Sequence, residues 1–518
     1  MHRCLKVPEL VTMICRELRS VAPASQMLAV ALTARAFEDP ALGLLWEVAV
    51  TLDALFNVLP VDIWKSSSAI NGGTLMEFGR SLHADDLDRY RYYVSKIAII
   101  DNKKSKSMGN IHAQCYVKLR RAFEQFYPGE RFLPSPRLLH AISDGRCPLR
   151  ELISVKLEYF ALEDTNSDPF LHATLLALSS EAPRLQAFRL RTKRTLLPNT
   201  TFAPLLAAIA GLTSLRAFVA TAVLDMPLAG HLASLPRLHT LSGLPPFIGP
   251  VGASHSSAPP QLCFPGLSTL DFAESPAPPS LIAKFLQIHM TTAPLRAFYV
   301  KMVRYHGQDE SEHWESPVVM LQSLVSGACV DTLTAVILRG RRIPHEASTE
   351  WSLTPSDIQP LYTCRGLKIF TLDFDCFLED FDDSTMEAMA NAWLHLERLE
   401  LLPISFDVDL DITLRGLLLM ARRCRDLTVF RTTFCDRRFL NGVDDVYGVV
   451  QSKLSILDVG GVFLNMEDAQ KVAAVLEEAF PNLTTLWNGM SPGTSTRDPA
   501  WNMVRKLLAE SRRVRDKV

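Results

Sequence analysis

The sequence predicts an α/β protein in which a solenoid of repeated strand–loop–helix units follows a small three-helix module. Three observations carry that reading. A short phrase, Leu-x-x-apolar-x-apolar, returns at near-regular spacing from residue 149 onward. Between its copies lie apolar segments preceded by helix-start residues. Ahead of the array, residues 5–46 hold three short apolar-striped segments separated by proline and small side chains.

At 518 residues the chain exceeds one compact core, because domains usually divide or become repeat arrays beyond roughly 250 residues. The 54 Lys plus Arg against 56 Asp plus Glu leave a net charge of -2, so no broad basic field exists for tracking nucleic-acid phosphates. The 10 cysteines form no Cys-x-x-Cys pair and no tight Cys/His cluster, which argues for a reducing compartment over a disulfide scaffold. Lys6, Glu9, Arg16 and Glu17 interrupt the first apolar segment, so it does not read as a signal peptide. The longest apolar run, FAPLLAAIAGL from Phe202, is about half the ~20 residues a bilayer span needs. A cytoplasmic or nuclear protein is expected, with no membrane and no nucleic acid as partner. Residues 1–60 read as the helical module, 61–145 as a linking region and N-terminal cap, and 146–518 as the solenoid with a C-terminal capping helix.

In residues 5–18, Leu10, Ile14 and Leu18 recur four apart with Val7 and Met13 beside them, which puts them on one side of a helix. Pro8 suits the first turn, where its missing N–H costs nothing. A second helix is expected behind Ser25 as cap, carrying Met27, Leu28, Val30, Ala31 and Leu32, and a third from Asp39-Pro40 to Trp46. Three helices this short expose more apolar surface than they can bury among themselves. Either a partner covers the remainder, or Leu10, Ile14, Leu18, Leu28 and Leu32 pack on one another and on the chain from residue 60.

VPEL at 7–10, Ile14, Arg35 and Leu45-Trp46 follow the order of the F-box pattern, with Ala34 where that family usually has Cys. The segment resembles an F-box, and DIW at 62–64 with LDRYRYYVSKIAII at 87–100 is similar to fungal members that carry a solenoid behind the box. F-box modules bind a Skp-type adaptor of cullin–RING ubiquitin ligases. The resemblance therefore implies docking through Pro8, Leu10, Ile14, Leu18, Leu28, Leu32 and Trp46, in a non-catalytic substrate-receptor subunit.

The repeat copies begin with a weaker CPLRELIS and then run from PRLQAFRL at Leu185 to PNLTTLWN at Leu483, their first leucines 23 to 38 residues apart. Spacing held over some 300 residues is the signature of a repeat array. The intervening segments carry start signals: Asp168 before Pro169, Ser316 before Pro317, Ser384 with Glu387 at capping-box spacing, and Asn465. The array resembles the leucine-rich repeat family in its irregular, long-repeat form, although most copies lack the Asn or Cys usual after the strand. One unit cannot bury both its strand and its helix, whereas a stack shares one core, so the repeat leucines read as core.

Residues 243–266, rich in Pro, Gly and Ser, read as an irregular loop, and 303–317 and 340–357 as insertions that lengthen two neighbouring repeats. His306, Glu310 and His313 lack metal-ligand spacing and read as a solvated loop. LEDFDDS at 378–384 lacks the glycine and alternating ligands of a calcium loop, and reads as acidic residues at a helix N-terminus. Neither a phosphate-binding glycine loop nor H-E-x-x-H is present, so neither catalysis nor a cofactor is expected. AWNMVRKLLAESRRVRDKV should close the open end of the stack as a helix with a basic outer side.

Strand alternation makes the residue between the last two apolar positions of each phrase point away from the core. That column runs Arg189, Val219, Ser242, Asp271, Tyr299, Ile337, Thr371, Glu400, Arg431, Asp458 and Trp487. Its mixed charge disfavours a single-sign ligand and favours a protein target. Tyr299, Lys301, Arg339, Arg431 and Trp487 are the candidate target-binding residues, being mostly the Arg and aromatic types that dominate binding surfaces. Trp487 has a second reading, as a side chain packed beneath the C-terminal helix. The chain as a whole reads either as the receptor described above or as a leucine-rich-repeat scaffold with no role in ubiquitin transfer, its N-terminal helices simply capping the stack.

Overall fold

The computed structural model describes residues 7–49, 53–68, 74–101, 111–143, 149–164, 169–192, 199–223, 226–244, 262–274, 277–303, 305–306, 312–313, 316–340, 352–374, 376–402, 410–435, 438–446, 448–488 and 498–515. They form two compact units, Met1–Ala222 and Val223–Val518.

The first unit opens with three helices, α1 (Pro8–Val21), α2 (Ala24–Thr33) and α3 (Arg35–Trp46). Pro8 takes the first turn of α1 as expected. Two expected starts differ. Ser25 does not cap α2, which begins at Ala24 behind Pro23. Nor does α3 wait for Asp39: it begins at Arg35 and carries Pro40 inside it. A proline there forgoes one backbone hydrogen bond, but the added turn lets Phe37 pack against the module's core of Val11, Cys15, Met27, Ala31 and Ala41.

Directly after α3, Val48–Ala49 pairs in parallel with Ile99–Asp101, and the ladder continues through Leu138–Ser143, Tyr159–Asp164, Ala187–Thr192 and Ala217–Val223. Helices Ala84–Val94, Ala113–Phe126, Pro169–Glu181 and Asn199–Ala210 lie between strands in sequence. Alternation places Ile100, Leu139, Phe160, Phe188 and Phe218 in one buried row across the strands. Phe160 stacks on Phe188 at 5.7 Å between ring centroids. The three-helix module is tied to the helix Ala84–Val94 by Trp46 against Tyr93 at 4.3 Å. Asp39 adds hydrogen bonds from Lys96 Nζ at 2.5 Å and Tyr92 Oη at 2.8 Å. Those bonds, Lys96's first, hold the Asp39 carboxyl below its ordinary range.

In the second unit, Thr240–Leu244, Thr269–Phe272, Ala297–Met302, Ala335–Gly340, Ile369–Asp373, Arg398–Leu402, Val429–Thr432, Ile456–Asp458 and Thr485–Trp487 follow one another as parallel neighbours. The row Leu241, Leu270, Phe298, Val336, Phe370, Leu399, Phe430, Leu457 and Leu486 is buried throughout, as are the first leucines of all repeat phrases from Leu185 to Leu483. Each strand is buried by its neighbours' equivalent residues, which is how a repeat stack shares a core.

Helix starts again differ in detail. Asp382, not Ser384, caps the helix Asp383–Ala392, accepting from the Thr385 N–H at 2.8 Å. A carboxylate two residues earlier reaches the free N–H groups, and Ser384 donates to it instead. Burial opposes the Asp382 charge, but the bonds from Thr385 and Ser384 outweigh it and keep the carboxyl below its ordinary range. Asp468 takes the cap position of Ala469–Ala479 where Asn465 was expected. Pro317 sits at the cap of Val318–Val325, with Ser316 Oγ accepting from the Val318 N–H at 3.3 Å. Asp168 lies outside the described residues, as do residues 245–261 and 341–351 of two expected loops. In the third, Tyr305–His306 pairs antiparallel with Glu312–His313; Glu310 is outside the described residues.

Helix Pro499–Arg515 packs Trp501, Val504 and Leu508 inward, with Trp501 Nε1 donating to Val462 O at 2.7 Å. Among the described residues no helix is long and apolar enough to cross a membrane.

Candidate functional site

Helix α1 has two apolar faces. Val11 and Cys15 point into the module's core with Leu18 partly buried beside them, while Val7, Leu10, Met13, Ile14 and Val21 are exposed. Helical spacing puts that exposed set on one stripe. On α2, Met27 and Ala31 are buried, whereas Leu28 and Leu32 are exposed, Leu32 by 80%. Of the expected docking residues, Pro8, Leu10, Ile14, Leu28 and Leu32 are thus on the surface. Leu18 instead packs against the core, and Trp46 rests half-buried on Tyr93. Val21, 83% exposed, was missed; its place seven residues after Ile14 was the available signal.

The second candidate surface is the strand column. In the second unit Ser242, Asp271, Tyr299, Ile337, Thr371, Glu400, Arg431, Asp458 and Trp487 are register partners from strand to strand. They occupy the face opposite the buried Leu/Phe row. In the first unit Arg189 and Val219 pair in the same way. Two residues further along, Lys301 pairs with Arg339 and Arg339 with Asp373. Lys301 and Arg339 are exposed and Tyr299 is half-exposed.

The charges on this face are partly spent on one another. Glu400, only 3% exposed, accepts from Arg339 Nη2 at 3.5 Å, Arg398 Nη1 at 3.4 Å and Thr371 Oγ1 at 3.3 Å, with Arg431 Nη1 at 3.6 Å. Arg431 also donates to Asp458 Oδ2 at 3.1 Å from Nη2, and its guanidinium covers the Trp487 ring at 5.1 Å from the centroid. Trp487 therefore lies on the exposed face against Arg431, and the tryptophan beneath the C-terminal helix is Trp501. Arg339 and Arg431 gather around one buried carboxylate, and Trp487 packs on Arg431. Arg398 was not singled out from the sequence, although period-two spacing puts it on the Glu400 face.

A cleft of about 730 Å³ in the first unit is lined by Arg91, Lys96, Glu130, Arg131, Arg137 and Lys156 among others. Arg91 pairs with Glu130, Lys96 with Asp39 and Arg137 with Glu47. Among the described residues no three His, Cys, Asp or Glu come together as a metal site requires.

No protein-family model and no curated protein matches the sequence. Among solved structures, the chain is similar to one in the crystal structure of the Rad7 and Elc1 complex in yeast. The identity is 13%, the match covers 75% of this chain and 85% of that chain, and the TM-score is 0.32.

Proposed function

We propose that this chain is a non-catalytic substrate receptor of a cullin–RING, SCF-type ubiquitin ligase. The F-box-like module would bind a Skp-type adaptor, and the strand face of the repeats would bind a protein target. The observation that carries this reading is the second apolar face of α1, together with the exposed Leu28 and Leu32 on α2. A module that packed only on its own chain would have no use for exposed aliphatic side chains on two adjacent helices. The receptor would raise the target's effective concentration at the ligase, and the chemistry would occur on other subunits.

One feature favours the scaffold alternative: α3 runs straight into the edge strand Val48–Ala49, as a capping element would. Deleting residues 1–46 decides between the two, because it removes the helices and keeps that strand. A receptor captures purified Skp-type adaptor when intact and loses it on deletion. A scaffold captures no adaptor in either form.

A further inference from the structure

On the strand face of the second unit, one buried carboxylate is shared among three guanidinium groups. The contacts from Arg339, Arg398 and Arg431 to Glu400 span 3.4–3.6 Å, longer than the roughly 2.7–2.9 Å of a committed charged hydrogen bond. Arg431 has a second carboxylate in Asp458 and a ring to cover in Trp487. Arg339 and Arg398 have Glu400 as their ion-pair partner, and their side chains are 53% and 40% exposed. Each guanidinium carries five N–H donors in a planar fork, so most of their donors face solvent while the buried Glu400 holds the forks in place. Lys301, exposed, is the register partner of Arg339 on the adjacent strand. Within this set of contacts Arg339, Arg398 and Arg431 outnumber Glu400 and Asp458 by one, so the cluster itself carries a positive surplus on a chain whose net charge is -2.

We infer that this cluster is an anion-recognition site for a carboxylate side chain in an extended acidic segment of the protein target. The inference rests on the receptor reading only in that the segment belongs to the target. A surplus near one positive charge matches a single carboxylate better than a doubly charged phosphoryl group. The ladder also sets the length of the segment. Tyr299 and Trp487 stand at its two ends, separated by the strands that carry Ile337, Thr371, Glu400, Arg431 and Asp458. At about 4.8 Å per strand the span is roughly 29 Å, the reach of about nine extended residues. The fitting segment has its acidic residue near the middle and apolar side chains toward both ends, over Tyr299 and Trp487.

The test is fluorescence anisotropy with the full-length chain and labelled nine-residue peptides. One carries two Glu at its centre and Leu at each end, a second has Gln for Glu, and a third has phosphoserine for Glu. The Glu peptide should bind about tenfold or more tighter than the Gln peptide, and the preference should shrink as salt rises. The K301A/R339A double variant should lose that preference, since Glu400 keeps Arg398, Arg431 and Thr371 and remains paired. Lys301→Ala alone, at an exposed side chain, should lose part of it with an unchanged melting temperature. Equal binding of the Glu and Gln peptides, absence of Glu-peptide binding, or full preference in the double variant would overturn the site. Tighter binding of the phosphoserine peptide than of the Glu peptide would overturn its assignment to carboxylates. Because no adaptor is present, failure of the receptor reading in the deletion experiment leaves this measurement separate.

Discussion

Leu32 and Ala31 are chain neighbours on α2, and a carboxylate placed at each should have opposite consequences. Leu32 is 80% exposed and Ala31 is buried against Met27 and Val11. In the free chain Leu32→Asp changes a surface residue, with an expected effect within about 0.5 kcal/mol. In an adaptor complex the same change forfeits the covering of most of a leucine side chain, about 2 kcal/mol. It also leaves a carboxylate in an apolar interface, which adds at least 1–2 kcal/mol more. The sum, ~3 kcal/mol or above, weakens binding by more than about a hundredfold. Ala31→Asp instead puts an unpaired charge into the module's core, worth roughly 3–5 kcal/mol against folding. Titration calorimetry with purified Skp-type adaptor, beside thermal melts of both variants, separates the cases. Leu32→Asp should melt like the parent and fail to bind. The reasoning is refuted if Leu32→Asp binds the adaptor within about threefold of the parent, or if it melts as early as Ala31→Asp. Ile14→Asp should follow Leu32→Asp, while Leu18→Asp should follow Ala31→Asp, because Leu18 packs on the core.

Three further outcomes are expected. Leu372→Ala, buried in the row between Leu338 and Leu401, should cost roughly 2–5 kcal/mol in denaturant melts through the cavity it leaves; a change below ~1 kcal/mol would remove that position from a shared core. Asp86 is held at a pKa of about 2, chiefly by Arg80 and also by the His83 N–H. Its folded value lies below its unfolded value, so its contribution is present above about pH 4 and disappears as pH falls through about 2. Asp86→Asn should flatten acid unfolding in that window, and an unchanged acid profile would contradict the assignment. Tyr299→Ala with Arg339→Ala should weaken capture of target protein while adaptor affinity and melting temperature stay as they were; undiminished capture would move the target site to another surface.

How much of this was legible in the sequence varies by element. The repeat strands were, because a strand's inward and outward positions alternate locally and each Leu-x-x-apolar-x-apolar phrase contains its own register. The outward column therefore aligned as register partners from Ser242 to Trp487. Helix starts were less legible. Several side chains within two or three residues compete to reach the same free N–H groups, so Asp382 displaced Ser384, whereas Asp468 holds its cap position without a side-chain bond, behind a backbone turn that starts at Asn465. For α3, a packing gain at Phe37 overrode the local preference of Pro40 for a first turn.

The sequence by itself determined which residues face inward, which outward, and that the first helices carry more apolar surface than they can share, since these follow from spacing along a few turns or one strand. Only the tertiary structure decided which of those outward residues remain available. Arg339, Arg398, Arg431 and Glu400 come from three strands as many as 92 residues apart, and no local pattern states that three guanidinium groups meet over one carboxylate. That meeting depends on the stacking of whole repeats, which sets distances across the sheet independently of distances along the chain. The same holds at the N-terminus: Leu10 and Leu18 are eight residues apart on one helix with the same side chain, and the packing of α2 and α3 on α1 leaves one exposed and makes the other part of the core.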